Sequence, residues 1–219
     1  IWVDQSQNVI LDHCSVSWAT DETLSVTGVG TDNVTVQWCI ISESLNESVH
    51  SKGIHGYGSL MRINGDISFH HNLFAHHQSR NPRSGTEGEG SILLDFRGNV
   101  IYNWGDQAGY SAEDSVRMNY IGNYLKPGPS TEEPDYAFSI GGETTLLYIA
   151  DNYLVSGGQK NVDNKGMVKQ KDSVLDYFFD NEIWRKKEPF PIEKGKIPVI
   201  EDSIDLYPLL IDLDHSEEG

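Results

Sequence analysis

The residues with the most chemical potential sit in His76-His77-Gln78-Ser79-Arg80-Asn81-Pro82-Arg83. Two guanidinium groups three residues apart on a Pro-stiffened turn repel each other unless an anion lies between them. Lys52 falls in an insertion rich in His, Gly and Ser and offers a third cation. Asp21 and Glu22 form an acidic pair at a similar turn one repeat earlier, and hard carboxylate oxygens favour Ca²⁺ or Mg²⁺. Read singly, Asp21-Glu22 is a solvated turn and Lys52 a surface lysine. Read together, they suggest an anionic substrate bridged through a metal ion. The histidines His50, His55, His70, His71, His76 and His77 form a rival set for zinc. Adjacent strand residues point to opposite faces, so His70 and His71 are not expected to share an ion.

Those residues are delivered by a repeat. Short β-rich runs end at Cys14, Cys39, Asn72, Asn99, Asn123, Asn152 and, more weakly, Asn181, at intervals of 25, 33, 27, 24, 29 and 29 residues. Such intervals leave no room for a crossover helix in every repeat. They are too irregular for propeller blades, and no segment keeps a helical period. Coils of short strands stacked about 4.8 Å apart fit a parallel β-helix. Asn at one register position then forms a ladder that satisfies its own amides. A β-sandwich would not need Asn at one repeated position. The long intervals place insertions, Ser42 to Gly65 and Ser84 to Gly90, on one side of the solenoid, where binding clefts are commonly built. Cys14 and Cys39 are read as two thiols stacked in neighbouring coils, close enough by distance for a disulfide.

The chain has 219 residues, enough for one domain with a sizeable core. It carries 16 basic and 33 acidic residues, a net charge of −17, which argues against nucleic acid as the main partner. No run of about 18 apolar residues is present, so no membrane partner is expected. A monomer is expected. The parallel β-helix catalytic domain is assigned to residues 1–184. Residues 185–219 are read as a C-terminal tail packed on the helix with an acidic, mobile end. The chain opens inside the apolar-alternating Ile1-Trp2-Val3-Asp4, as though the N-terminal coils were missing. A solenoid so opened is expected to be aggregation-prone.

Two motifs carry a family resemblance. Asn8-Val-Ile-Leu-Asp-His-Cys14 resembles the V-W-I-D-H strand of the pectate lyases of polysaccharide lyase family 1. His70-His-Asn-Leu-Phe-Ala-His-His-Gln-Ser-Arg-Asn-Pro-Arg83 resembles that family's H-H-N … R-x-P-R segment, with the same eight-residue step from Asn72 to Arg80. The resemblance covers about residues 1 to 125. It implies an all-β, right-handed parallel β-helix and calcium-assisted β-elimination of polygalacturonate by a secreted or periplasmic enzyme. Arg80 falls on the family's general base, Arg83 on a substrate-binding arginine and Lys52 on the lysine that meets a substrate carboxylate. Asp21 matches a calcium-binding acid. The family's second acid is Ser25 here, so Glu22 is assigned beside Asp21 as the Ca²⁺ ligand. A further family arginine is Gly85. A free guanidinium has a pKa above about 12, so this base implies activity at alkaline pH. The alternatives are a β-helix glycoside hydrolase acting on pectin and a non-catalytic carbohydrate-binding β-helix. The first needs clustered carboxylates, and the sequence has no adjacent Asp-Asp pair. The second would not need Arg80.

Overall fold

The structure is a computed structural model that describes residues 1–112 and 114–199. The chain winds through six three-strand coils. These are β1 (Trp2–Asp4), β2 (Gln7–Asp12) and β3 (Ser15–Ser17); β4 (Glu22–Gly28), β5 (Asp32–Gln37) and β6 (Ile40–Ser42); β7 (Tyr57–Ile63), β8 (Asp66–His70) and β9 (Leu73–Ala75). There follow β10 (Arg83–Gly85), β11 (Ile92–Arg97) and β12 (Val100–Tyr102); β13 (Gly109–Ser111), β14 (Val116–Ile121) and β15 (Tyr124–Lys126); β16 (Phe138–Ile140), β17 (Thr145–Ala150) and β18 (Tyr153–Leu154). A short helix α1 (Lys160–Asp163), strand β19 (Val168–Gln170) and helix α2 (Asp176–Asp180) come next. Like strands stack into three parallel sheets, the first ordered β1-β4-β7-β10-β13-β16-β19. The fold is therefore a parallel β-solenoid, as the repeat requires.

Apolar columns run through the stack because parallel register places the same residue type at each level. Val34, Ile67, Leu94, Met118 and Leu147 are successive partners on the second sheet, and so are Val36, Phe69, Phe96, Tyr120 and Ile149. All ten are buried. Each such side chain contributes about 1.5–3 kcal/mol on leaving water.

One bend sets the register of every coil. His13, Trp38, His71, Gly98, Gly122 and Asp151 follow the second-sheet strands, and all adopt a left-handed backbone, with φ between 54° and 62°. The next residue then points inward. From Asn72 onward it is the ladder asparagine. Asn99 Oδ1 accepts from Asn72 N and Nδ2, both at 3.0 Å; Asn123 Oδ1 accepts from Asn99 N at 3.0 Å and Nδ2 at 3.1 Å. Asn152 does the same for Asn123. Each Nδ2 also donates to a carbonyl of the preceding coil, such as Phe69 O from Asn99 at 2.9 Å.

The last rung differs from the expected one. Asn164, not Asn181, receives the Asn152 N–H at 2.7 Å and its Nδ2 at 3.0 Å. The chain reaches it in twelve residues through β18 and α1, with no second-sheet strand before it. Asn181 lies at the end of α2, and its Nδ2 donates to Tyr177 O at 2.8 Å. At the other end the thiols take the ladder position. Both are free, and Cys14 N–H donates to Cys39 Sγ at 3.4 Å.

Residues 185–199 cross the outside of the second sheet. Phe190 N–H donates to Asn119 Oδ1 at 2.8 Å, and Lys196 lies 3.2 Å from Asp32 and 3.7 Å from Asp66. The acidic end of the tail falls in 200–219, outside the described residues.

Candidate active site

The leading edge of the first sheet is where the chain turns in from the third. Glu22 opens β4 and is the register partner of Tyr57, which opens β7. Tyr57 in turn bridges to Ser79 on the next level. Three consecutive coils thus bring Glu22, Tyr57 and Arg80 together. The Arg80 guanidinium carbon stands 3.8 Å from the Tyr57 ring centroid, and Nη1 donates to Glu22 Oε1. Arg80 Nε is buried with no hydrogen-bond partner. The aromatic face and the carboxylate fix the head group, while a left-handed backbone at Arg80 (φ 67°) turns it toward them.

Gly58 supports this arrangement from behind. Ser59 N–H donates to the Arg80 carbonyl at 2.7 Å. A Cβ on Gly58 would stand 2.6 Å from that carbonyl oxygen and 2.3 Å from Asn81 Oδ1. Gly58→Ala should therefore push the Arg80 turn outward and cost about 1–3 kcal/mol. We expect a lower melting temperature and a larger proportional loss of turnover. An unchanged melting temperature would show that the turn has room to spare.

Asp21 lies one residue before Glu22 but faces a different group. Its carboxylate is 3.6 Å from His50 Nε2 and 3.3 Å from His55 Nε2. The two imidazoles stack at 4.4 Å, and His55 meets Tyr57 edge-on at 4.4 Å. These three side chains are close enough to hold an ion. His50 Nδ1, however, accepts the Lys52 N–H at 3.2 Å, so in neutral His50 the proton sits on Nε2 and points toward Asp21. That tautomer offers no lone pair for zinc. Asp21 Oδ1 is buried with no hydrogen bond of its own. Lys52 is exposed on the same insertion, and among the described residues its ammonium has no ion-pair partner.

Arg80 and Arg83 meet different rings. Arg83 points out from β10 toward Tyr110 on β13, its register neighbour, 6.0 Å from the ring centroid. Burial pushes the Arg83 pKa down; the nearby Arg80 and Arg62 add to this, and Tyr110 and Asp114 oppose it. A Cβ at Gly85 would lie 2.4 Å from Asp114 Oδ2, so a side chain there would require the Asp114 carboxylate to swing aside.

The remaining histidines serve the fold. His77 Nε2 donates to Ile41 O at 2.9 Å and Nδ1 meets Ser44 Oγ at 2.8 Å; burial pulls its pKa down to about 4. His70 and His71 do not point apart, as strand alternation had suggested. His71 occupies the left-handed bend, which swings its ring back until the two Nδ1 atoms are 2.8 Å apart. Burial, and then His71, pull the His70 pKa down to about 4.

The sequence marked His50 and His55 as metal candidates, but not their stacking, nor the pairing of Tyr57 with Arg80 and of Tyr110 with Arg83. These contacts are set by coil register across an insertion, which spacing along the chain does not encode.

No family model matches the chain. Curated relatives do. Over 153 residues, 70% of the chain and 32% of the relative, it is 39% identical to "Probable pectate lyase C" of Emericella nidulans. The proteins of the same name from Aspergillus terreus and Aspergillus fumigatus are each 38% identical, over 70% and 69% of the chain and 33% of their own length. The chain spans about a third of the length of the curated relatives it matches. Over that stretch this parallel β-solenoid is a homologue of proteins named probable pectate lyase C.

Proposed function

We propose that the chain belongs to a polysaccharide lyase that cleaves polygalacturonate by β-elimination, with Arg80 as the general base. The observation that carries this is the Arg80 head group, fixed between Glu22 and the Tyr57 ring at the edge of the first sheet. The names of the relatives supply the substrate class. Arg80 pairs with Glu22 as the guanidinium, so it must first give a proton to solvent; the neutral guanidine then takes the C5 proton, which is α to the uronate carboxylate. The C5–H electrons form the C4–C5 double bond, and the C4–O4 bond breaks with its pair on O4, which takes up a proton. Tyr57 and Glu22 orient the base. Arg83 and Lys52 meet substrate carboxylates.

A calcium ion shared with substrate would draw on Asp21 and Glu22. Asp21 Oδ1 is buried with no hydrogen bond, 3.3 Å from His55 Nε2, and Glu22 meets Arg80 through Oε1, leaving Oε2; the two carboxylates face different neighbours and would have to turn together to share the ion. Two carboxylates are fewer oxygens than the six to eight that calcium takes, so substrate and water must supply the rest. Bound there, calcium would neutralise the uronate carboxylate and make the C5 proton more acidic. Calcium alone should then bind weakly, with Kd of about 10⁻⁴ M or above by calorimetry. Submicromolar binding without substrate would show a fuller ligand set than Asp21 and Glu22. The same reading takes a secreted monomer acting on an anionic polymer. Among the described residues no helix is long and apolar enough to cross a membrane.

The test is ultraviolet absorbance of unsaturated uronate during incubation of the intact protein with polygalacturonate, with calcium and with chelator. A calcium-dependent rise that chelator abolishes is expected. Reducing ends without absorbance would establish a hydrolase, and a folded protein that cuts nothing would be a binding module.

A further inference from the structure

Further along the first sheet, a second pair of cations shares one aromatic ring. Tyr110 stands opposite Arg83 in register and presents its outer side to solvent. Lys171 comes from just beyond β19, two coils away, where its N–H donates to Ile140 O at 2.9 Å. From there Nζ returns to within 3.6 Å of the Tyr110 ring centroid, the ring that Arg83 approaches at 6.0 Å. With Arg62, Ser173 and the carboxylate of Asp114 they line a depression of about 490 Å³. Arg62 is occupied, donating to Thr86 O at 3.2 Å with Glu87 at 3.6 Å. Among the described residues, neither Arg83 nor Lys171 has a carboxylate within ion-pair distance. Half-buried cations brought to one ring repel each other, and an anion between them relieves that cost.

We propose that Arg83, Tyr110 and Lys171 form a subsite for the carboxylate of an acidic sugar unit, extending the binding surface from the Arg80 edge along the first sheet. It rests on the reading above that the ligand is an anionic polysaccharide. The guanidinium fork and the ammonium each donate to the carboxylate, and the tyrosine offers its ring to the sugar. The adjoining depression shares Lys171 and Ser173 with the subsite and sets Lys169 among the carboxylates of Asp106, Glu132, Glu133 and Asp172.

The subsite carries a pH signature. Burial, then the charge of Arg83, pull the Lys171 pKa down to about 8, with Lys169 and Arg80 adding and Asp106 opposing. The groups facing Lys171 are thus Arg83 and Arg80 from β10 and its preceding turn, Tyr110 and Asp106 from β13 and its preceding turn, and Lys169 on its own strand. The ammonium is present below about pH 8 and lost above it, so its contribution fades as pH rises.

Calorimetric binding of tetragalacturonate to the intact protein tests the subsite at about pH 6.5 and about pH 9, either side of the Lys171 titration. The proteins compared are wild type, Lys171→Met and Lys171→Arg, with the methyl-esterified oligomer as the neutral control. At the lower pH, Lys171→Met should weaken the acidic oligomer about tenfold or more and leave the methyl ester unchanged. Lys171→Arg should hold its affinity at both pH values, while wild type weakens at the higher. Unaltered affinity in Lys171→Met, with an unchanged melting temperature, overturns the subsite and leaves the lyase reading to its own assay. Failure of wild type to bind the acidic oligomer overturns both. Lys171-dependent binding without unsaturated product supports the subsite and counts against the lyase.

Discussion

Arg80→Lys is expected to lower the rate of unsaturated-uronate release by about 10²–10⁴-fold, the range removed with a general base. Lysine is the more informative replacement because of Glu22. Arg80 and Glu22 are a largely buried pair, with side chains 18% and 12% exposed. Arg80→Ala would strand the Glu22 carboxylate, and breaking a buried pair costs up to about 3–5 kcal/mol. Lost activity in that variant would mix chemistry with unfolding. Lysine keeps the charge beside Glu22 and the cation over the Tyr57 ring, yet lacks the planar fork and places its nitrogen elsewhere. The melting temperature should therefore stay close to wild type while turnover collapses and oligogalacturonate binding persists. Turnover within about tenfold of wild type would remove Arg80 from the role of base. The double variant Arg80→Ala/Glu22→Gln provides the second control. It leaves no stranded carboxylate, so it should recover stability over Arg80→Ala without recovering turnover.

Asn99→Ala should give the largest loss of stability of any single substitution considered. The side chain is fully buried in the middle of the ladder. Its Oδ1 accepts two hydrogen bonds from Asn72, and its Nδ2 donates to Phe69 O and to Asn123 Oδ1. Truncation removes the partner of the Asn72 backbone N–H, of the Asn72 amide and of the Phe69 carbonyl at one stroke. A buried group left without a partner costs about 1–3 kcal/mol. Three such groups, partly relieved by water entering the gap, imply about 3–6 kcal/mol. For a chain of this size that is a fall of about 10–20 °C in melting temperature. Asn99→Asp tests the donor half of the role. It keeps the acceptor for Asn72 but loses the donor to Phe69 O and sets a buried carboxylate against two acceptors, so at neutral pH its loss should match that of Asn99→Ala. A drop below about 1 kcal/mol in Asn99→Ala would show that neighbouring amides re-pair and that the ladder is redundant.

The solenoid was legible because its two demands repeat. Each coil needs an inward apolar column and an inward amide after the bend, and both recur in the sequence at the intervals of the strands. Legibility failed where a neighbour arrives by another route. Asn164 enters the ladder through a helical turn, with no second-sheet strand before it to mark the register. His70 and His71 were assigned to opposite faces by a rule that holds within a strand, and the strand ends between them. The Arg80–Arg83 motif was visible because its residues are contiguous. The motif did not show that the two arginines meet different rings, because Tyr57 and Tyr110 lie on different coils. Lys171 was invisible for the same reason. It follows a short strand with no distinctive composition, and only the stacking of β13, β16 and β19 brings it back over Tyr110. The sequence also placed Asp21 and Glu22 side by side, whereas their carboxylates face different partners.

The ladder has a direction. Each ladder oxygen, of Asn72, Asn99, Asn123, Asn152 and Asn164, receives hydrogens from the ladder residue of the coil before it. A bend is thus sealed by its successor. Each level leaves a backbone N–H and a side-chain amide that only the next level satisfies, so the open donors of the ladder face the C-terminal end. Asn164 closes that end: its Nδ2 turns back to Asn152 O at 2.9 Å and asks nothing of a further coil.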